Sequence, residues 1–186
     1  MELKKHILEN IVNLKKQVNK PLIIGIDGPT AAGKTILSKK LKIELHKSFK
    51  NIWICQLDWT LKSRKYRSNS LDNFKKKERN FYYESQDHMD LDQVVNNLKK
   101  IKNFNYNKKS FINIKLNNLY NRLTASNNNT IKSKINRRSL IIVEGHYTSI
   151  SELDKLIDYN ILLLAEKNIL LKRKIDRVKH YRDSNE

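Results

Sequence analysis

The chain has 186 residues, of which 38 are Lys or Arg and 19 are Asp or Glu, so its formal net charge is +19. This length is sufficient for one domain with a complete hydrophobic core. No apolar run approaches the roughly 20 residues of a membrane-spanning helix, and the N-terminus lacks the apolar core of a signal peptide. The single cysteine, Cys55, cannot form an internal disulfide and lies in an apolar run, which predicts a buried side chain. We therefore expect a cytoplasmic protein.

The positive charge is spread over almost every segment of the chain. Lys far outnumbers Arg, and Asn and Ile are abundant throughout, which indicates a compositional bias rather than a dedicated binding tail. Specific nucleic-acid binding is therefore not the favoured interpretation. A nucleotide-dependent protein that binds RNA or DNA through its basic surface stays open as an alternative, and so does a homo-oligomer.

The N-terminal part of the chain predicts a helix followed by a buried strand. Residues 2–19 place apolar side chains three or four positions apart, as in an amphipathic helix that occupies about residues 1–20. Pro21 ends this helix because its ring removes a backbone donor. The apolar run over residues 22–27 is typical of a buried parallel strand, and a second helix is expected over about 33–48.

Between this strand and helix lies a P-loop (Walker A) motif, which predicts a site for ATP with Mg²⁺. The sequence from Gly28 to Thr35 matches G-x-x-x-x-G-K-[ST] at every fixed position. Its glycines let backbone N–H groups surround phosphates, and the helix adds its N-terminal dipole. Lys34 would contact the β- and γ-phosphates, and the Thr35 hydroxyl would bind Mg²⁺. The residues expected to contact ATP are Gly28, Pro29, Thr30, Ala31, Ala32, Gly33, Lys34, Thr35 and Ile36.

Two acids follow later apolar runs. Residues 51–57 predict a strand that ends at Asp58, and residues 140–143 predict another that ends at Glu144. Because ligands of open α/β sheets bind beyond the carboxyl ends of the strands, both acids are expected near Lys34. Asp58 could accept the proton of an attacking hydroxyl, and Glu144, in a Walker B arrangement, could hold Mg²⁺. A turn cap at Asp58 and an ordinary strand-end acid at Glu144 are the alternatives.

The remaining segments complete an alternation of strands and helices, which predicts a three-layer α/β fold with a doubly wound parallel sheet. The further predicted elements are helices over about 70–83 and 90–101, a short strand over 111–116, a turn or mobile tip over 127–129, a short helix from Ser151, a strand over 159–164 and a final helix over about 166–182. The final helix should face the protein with Leu171, Ile175 and Val178. Of the many basic residues over 59–80, we expect one or two to contact a ligand. His146 is expected to form hydrogen bonds rather than to bind a metal.

Several separated segments resemble the uridine kinase and phosphoribulokinase family of P-loop kinases. Residues 24–35 are similar to the P-loop and its lead-in in that family, and Leu57-Asp58 falls where the family has a strand-end catalytic aspartate. Val143-Glu144-Gly145 matches the family's strand-end Glu-Gly. The other similar segments are Asp87-His88-Met89-Asp90-Leu91, residues 115–120 and residues 171–177.

This resemblance implies a kinase that transfers the γ-phosphoryl group of ATP to a hydroxyl of a small molecule, foremost a nucleoside. It implies Asp58 as the base and Glu144 near Mg²⁺. It also implies that the acceptor side carries Asp87, His88 and Tyr120, and that Arg173 and Arg177 lie over the phosphates.

The sequence also departs from the family pattern. Met89 replaces the usual proline and Trp59 follows Asp58, which puts uridine itself in question as the acceptor. We expect the kinase domain over residues 21–186, with an acceptor-binding region over about 59–138 and a lid over about 166–182. The chain ends just beyond the lid, so it is either a shortened member or a fragment. A kinase of a non-nucleoside metabolite and a protein or polynucleotide kinase remain alternatives.

Overall fold

The structure, a computed structural model, describes residues 5–63, 65–69, 88–121, 126–149 and 151–183. Its main sheet has four parallel strands in the order β2-β5-β1-β6. These strands are β1 (Leu22–Asp27), β2 (Asn51–Gln56), β5 (Ser139–Glu144) and β6 (Tyr159–Leu162). A separate antiparallel pair consists of β3 (Phe111–Asn121) and β4 (Ser126–Asn136).

The helices whose bounds are fully described are α1 (Lys5–Gln17), α2 (Lys34–Glu44), α3 (Asp92–Asn103), α4 (Ser151–Asp154) and α5 (Lys167–Asp183), and residues 65–69 are also helical. A short 3₁₀ turn, Leu57–Thr60, follows β2 directly. Within the described ranges, none of these helices combines the length and the apolar character that crossing a bilayer requires.

Each face of the main sheet has its own hydrophobic core, because successive side chains of a strand point to opposite faces. Leu22, Ile24 and Ile26 of β1 face α1 and α2, and Ile11 of α1 is fully buried in the same core. Ile23 faces the other way and packs in a core with α3 and the β3–β4 pair. Helices thus cover both faces of a parallel sheet, which confirms the predicted fold class.

The strand register aligns the carboxyl ends of three neighbouring strands. In the central strand β5, Glu144 pairs with Ile26 of β1 on one side and with Gln56 of β2 on the other. Gly28 and Asp58 each follow two residues after these partners. The sheet therefore brings the P-loop and both strand-end acids to one edge, where ligands of such sheets bind.

The predicted turn at Asn127–Asn129 is wrong, because these residues lie in β4. Asn127 pairs with Tyr120, and β3 continues beyond the predicted 111–116 to Asn121. The Asn127 amide donates hydrogen bonds to the carbonyls of Leu61 (2.7 Å) and Asn118 (3.1 Å). Asparagine disfavours strands intrinsically, but these bonds and the pairing with β3 hold the segment extended.

The predicted inward face of the last helix is also wrong. Leu171 and Ile175 are 54% and 45% exposed, and the side chain of Val178 lies outside the described part. Their spacing places them on one side of a helix, but periodicity does not ensure that another element covers that side. The helix expected over about 70–83 also lies outside the described residues.

Candidate active site

The P-loop connects β1 to α2 through backbone conformations that glycine allows. Gly28 has φ 142° and Gly33 has φ 102°, and Ala31 between them has φ 67°. A Cβ on Gly28 would lie 2.4 Å from the carbonyl oxygen of Leu163, whereas a Cβ on Gly33 would meet no atom within 4 Å. Gly28 is therefore required by close packing, and Gly33 leaves open space at the start of α2.

The start of α2 has the features of an anion site. Gly33 is the N-cap residue in a left-handed conformation, and no side chain caps the helix. The first N–H groups of a helix have no partners within the helix and point outward along its axis. Together with the curved loop before them, these groups form a concave surface that favours phosphate.

Lys34 lies against the loop that precedes it. Its Nζ donates hydrogen bonds to the carbonyl oxygens of Gly28 (2.7 Å) and Pro29 (3.0 Å), and the residue is only 9% exposed. Gly28 and Pro29, both predicted to contact ATP, therefore take part in the site by holding this ammonium group. A phosphate in the loop would bring its negative charge beside the same cation.

Glu144 is 4% exposed at the end of β5 and accepts a hydrogen bond from the Thr35 hydroxyl at 2.8 Å. Burial raises the pKa of this carboxyl, the Thr35 bond opposes that shift, and the negative charge of Asp58 raises the pKa further. Lys34 and a hydrogen bond with Gln56 oppose the rise. A buried carboxylate in this environment would gain from a cation placed beside it.

The oxygen ligands that Thr35 and Glu144 offer suit Mg²⁺. A hydroxyl and a carboxylate are hard oxygen ligands, and Mg²⁺ usually binds one or two such groups together with phosphate oxygens and water. The described residues contain no cluster of three or more His, Cys, Asp or Glu that could hold a metal alone. The pair Thr35 and Glu144 is therefore suited to an ion that arrives with a nucleotide.

A cavity of about 690 Å³ joins the P-loop to the side predicted for the acceptor. This volume is sufficient for a small-molecule ligand. Of the predicted site residues, those that line it are Thr30, Ala31, Ala32, Gly33, Lys34, Thr35, Ile36, Asp58, His88, Tyr120, Glu144, Arg173 and Arg177. Asp87 lies outside the described residues. The sequence-derived set thus largely converges on one cavity.

The acceptor side of the cavity is built around Asp58, which lies in the 3₁₀ turn after β2. The chain after this turn forms an isolated antiparallel bridge in which Leu61 is opposite Met89. A backbone bond from Lys62 N to the carbonyl of His88, 2.7 Å long, supports the bridge. The bridge places two apolar side chains, Leu61 and Met89, on the cavity wall near the carboxylate.

Arg67 is a cavity residue that the sequence did not single out. Its guanidinium lies over the ring of Tyr120, 4.8 Å from the centroid, and its Nε donates to the carbonyl of Lys62 at 3.0 Å. These two contacts hold a cation on the acceptor side. The basic segment has no clean periodicity before Leu71, so no signal in the sequence distinguishes Arg67 from its neighbours.

Arg173 and Arg177 reach the cavity from α5. Arg173 Nη1 lies 3.4 Å from the carbonyl oxygen of Ala31, so the helix touches the P-loop directly. Both arginines are exposed, and no side chain described over residues 167–177 of α5 is fully buried. The helix thus contacts the P-loop while most of its described side chains stay exposed.

Two further residues adjoin the site. His146 Nε2 lies 2.9 Å from the Thr30 hydroxyl oxygen, in agreement with the expected hydrogen-bonding role. Cys55 is fully buried in β2, and burial together with the charge of Glu144 raises the pKa of its thiol to about 12. A thiol with this pKa is not a nucleophile at neutral pH.

Solved kinase structures share this fold. A possible uridine kinase from Bacillus stearothermophilus matches with a TM-score of 0.57 and 17% identity, over 94% of this chain and 91% of that chain. A Silicibacter protein described as a fructose transport system kinase matches with a TM-score of 0.64 and 13% identity, over 92% and 82%. The phosphoribulokinase from Rhodobacter spheroides matches with a TM-score of 0.52 and 15% identity, over 78% of this chain and 51% of that chain. At these identities the likeness shows the fold alone.

No curated protein matches the chain in sequence. The model of the phosphoribulokinase/uridine kinase family, however, matches residues 23–185, from the first strand of the main sheet to the end of the last helix. Because that match covers the P-loop, both strand-end acids and α5, the chain belongs to the phosphoribulokinase/uridine kinase family, P-loop kinases that phosphorylate hydroxyl groups of small molecules.

Proposed function

We propose that this protein transfers the γ-phosphoryl group of ATP to a hydroxyl group of a nucleoside. The observation that supports this most directly is the single cavity that runs from the P-loop past Asp58 to Tyr120. ATP bound on the loop and a hydroxyl-bearing acceptor beside Tyr120 would meet at the Asp58 carboxylate. Holding two reactants in this way is a large part of phosphoryl-transfer catalysis.

The cavity wall supports a nucleoside as the acceptor. Leu61, Met89 and the Tyr120 ring offer apolar and aromatic surface suited to a flat base. A ribose hydroxyl would then lie toward Asp58, with His88 beside it. Asp87, which precedes His88 in sequence, stays a predicted acceptor residue.

In the proposed reaction, Asp58 accepts the proton of the acceptor hydroxyl. The hydroxyl oxygen forms a bond to the γ-phosphorus, the bond from that phosphorus to the β,γ-bridging oxygen breaks, and ADP leaves. Lys34 stabilises the negative charge on the β- and γ-phosphates, and Arg173 and Arg177 stabilise it from the lid. Mg²⁺, held by Thr35 and Glu144, would neutralise phosphate charge.

A second candidate acceptor is a metabolite that carries a carboxylate or phosphate group. The observation that favours it is Arg67, whose guanidinium lies on the acceptor side over Tyr120. Planar guanidinium groups bind carboxylate and phosphate in a bidentate manner. An acceptor with such a group would have its hydroxyl, rather than its anion, near Asp58.

The test is the release of ADP from ATP and Mg²⁺, with and without a panel of nucleosides, sugars, sugar phosphates and hydroxy acids. We expect one class to stimulate release, and Asp58→Asn to lower that turnover about 10²- to 10⁴-fold, the range of general base catalysis. Asp90→Asn, an exposed acid next to the same bridge, is the matched control and should retain activity. Normal turnover of Asp58→Asn would exclude the base assignment. If no acceptor stimulates ADP release, the proposed function is wrong.

A further inference from the structure

The segment that follows Asp58 is held on one side by the bridge between Leu61 and Met89. We name residues 60–62 the post-Asp58 segment. The hydrogen bonds of the bridge are made by the residues that flank the Leu61–Met89 pair, so the Leu61 carbonyl is directed to the opposite edge of the segment. A backbone carbonyl in a part-buried position needs a partner there. The two flanking bonds, both 2.7 Å long, run from Lys62 N to the His88 carbonyl and from Asp90 N to the Thr60 carbonyl.

Asn127 of β4 supplies the partner at the opposite edge. Its side-chain amide donates to the Leu61 carbonyl at 2.7 Å and to the Asn118 carbonyl of β3 at 3.1 Å. An asparagine amide has two N–H groups, one for each of these carbonyls. The reversed orientation would place the amide oxygen against two carbonyl oxygens, so the partners fix the orientation. One side chain thus joins the post-Asp58 segment to both strands of the β3–β4 pair.

The Asn118 carbonyl belongs to an irregular part of β3. Asn118 has φ 52°, and the register of β3 against β4 shifts between Leu116 and Leu119 and again between Leu119 and Tyr120. Such irregularities change the face to which the following side chains point. Here Leu119, and not Asn118, is buried in the core, and Tyr120 lines the cavity. The bond from Asn127 therefore stabilises the irregular backbone just before Tyr120.

The parts that Asn127 joins meet on the acceptor side of the cavity. Leu61 and Tyr120 both line the cavity, and Asp58 lies in the 3₁₀ turn directly before Leu61. The backbone amide of Leu61 also donates to the Asp58 carbonyl, at 3.4 Å. A shift of the post-Asp58 segment would therefore change the position of the Asp58 carboxylate relative to the Tyr120 ring.

We propose that Asn127 is a positioning residue for phosphoryl transfer, which fixes the post-Asp58 segment against the β3–β4 pair and thereby sets the distance between Asp58 and an acceptor lying against Tyr120. Asn127 is not among the residues that line the cavity, so it acts through Leu61 and Tyr120. The role in transfer rests on the proposed function, whereas the link between segment and hairpin can be measured without any acceptor.

Asn51 offers a matched control for this link. Its side-chain amide donates to the Lys134 carbonyl of β4 at 2.8 Å, so it also joins the main sheet to the β3–β4 pair. Asn51 is the first residue of the six-residue strand β2, and Asp58 follows the end of that strand. Asn51→Ala therefore removes the same kind of bond to the same hairpin at the end of β2 that is remote from the cavity.

The first measurement is amide hydrogen exchange of the ligand-free protein, read by mass spectrometry on peptides that cover residues 58–63 and 88–92. Asn127→Ala should speed exchange there about 2- to 13-fold, the factor for the loss of one net hydrogen bond. Asn51→Ala should leave these peptides unchanged, and exchange in β1 should be the same in every variant. Asn127→Ser keeps one shorter donor, so it should give an intermediate rate and remains informative if the alanine variant does not fold.

The second measurement is steady-state ADP release with uridine, cytidine, adenosine and guanosine as separate acceptors. For a nucleoside that the wild type phosphorylates, Asn127→Ala should lower kcat/KM about 10- to 100-fold, the effect of displacing reacting groups by roughly 1 Å. KM for ATP and the slow ADP release without acceptor should stay unchanged. A purely structural role would instead reduce the amount of folded protein and lower both kinds of ADP release equally.

Wild-type exchange over residues 58–63 in Asn127→Ala, or the same acceleration in Asn51→Ala, would overturn the proposal. Equal losses of acceptor-dependent and acceptor-free ADP release would also overturn it. If no ribonucleoside stimulates ADP release even in the wild type, the proposed nucleoside kinase activity is wrong. In that case the exchange rates alone decide whether Asn127 fixes the post-Asp58 segment, so the two failures are distinguishable.

Discussion

Replacing Lys34 with alanine should separate the structural and catalytic roles of this side chain. In the structure its ammonium group donates two hydrogen bonds, to the carbonyls of Gly28 and Pro29. Net contributions of hydrogen bonds to charged groups are about 1.5–3 kcal/mol each when their partners are buried. Here the bond to Pro29 is only part-buried, Lys34 itself lines the cavity, and the substitution also removes a cation that is only 9% exposed. We therefore expect a loss of stability of only about 1–3 kcal/mol.

For Lys34→Ala, the expected loss of transition-state stabilisation is larger than the expected loss of folding stability. During the reaction the Lys34 ammonium would stabilise charge on the transferring phosphoryl group, and removing one such donor typically lowers kcat about 10²- to 10³-fold. That change corresponds to about 2.7–4 kcal/mol of transition-state stabilisation. Arginine should not substitute for Lys34, because a guanidinium is too large and planar for the space between the two carbonyls.

The assay is ADP release at saturating ATP and acceptor, together with urea unfolding of the same preparations. Lys39→Ala is the matched control, since it removes an equal charge from an exposed position of the same helix. Lys39→Ala should change neither kcat nor the free energy of unfolding by much. The reasoning would be refuted if Lys34→Ala retained more than about one tenth of the wild-type kcat, or if Lys39→Ala lost as much.

Three further substitutions test other parts of the site. Glu144→Gln should stabilise the ligand-free protein at pH 8 and have a smaller effect at pH 5. The pKa of Glu144 is raised in the folded protein, so the unfolded protein loses this proton more readily and the wild type becomes less stable as pH rises. Urea unfolding at both pH values checks this, and Mg²⁺-dependent turnover should fall. Arg67→Gln should raise KM for the acceptor about tenfold, which corresponds to the binding free energy of one or two polar contacts. KM for ATP should stay unchanged, and steady-state kinetics measures both values. Gly28→Ala should lower the free energy of unfolding by about 2–4 kcal/mol, since its Cβ would lie 2.4 Å from Leu163 O at positive φ.

Each of these substitutions has a control. The gain in stability from Glu144→Gln should disappear below about pH 4, where the Glu144 carboxyl is protonated in the unfolded protein as well. An equal gain in stability at all pH values would contradict the pKa argument. Lys65→Gln, a nearby exposed cation, should leave both KM values unchanged. Gly33→Ala, with φ 102° but no atom within 4 Å of its Cβ, should cost about 1 kcal/mol from backbone strain. A cost equal to that of Gly28→Ala would contradict the packing argument.

The parts of the site that the sequence predicts are those encoded by short, local signals. The P-loop pattern defines its own backbone from Gly28 to Thr35, and apolar runs that end in Asp58 and Glu144 predict strand ends at one edge of a parallel sheet. Parallel strands are buried on both faces, so they appear as continuous apolar runs that are easily recognised. The convergence of Lys34 and both acids on one cavity follows from these local patterns and from the topology of the fold.

The parts that the sequence does not predict depend on partners distant in the chain. Asn127 lies in a strand because it bonds to Leu61 and pairs with Tyr120, and neither partner is visible in the local pattern. Arg67 enters the cavity because the Tyr120 ring supports it. Leu171 has the periodicity of a buried helix face and is nevertheless exposed. Local periodicity predicts which side of a helix or strand carries a side chain. Whether another element packs against that side depends on residues that are distant in the chain.

The separation of the β3–β4 pair from the main sheet has a consequence for how such an enzyme can change its specificity. The pair supplies Tyr120 to the cavity but shares no strand pairing with the sheet that aligns Gly28, Asp58 and Glu144 among the described residues. Substitutions or insertions in the hairpin can therefore reshape the acceptor side, provided that its inward residues such as Leu116 stay apolar. Grafting this hairpin between related kinases should therefore change which acceptors are used while the phosphate-transfer residues stay in place.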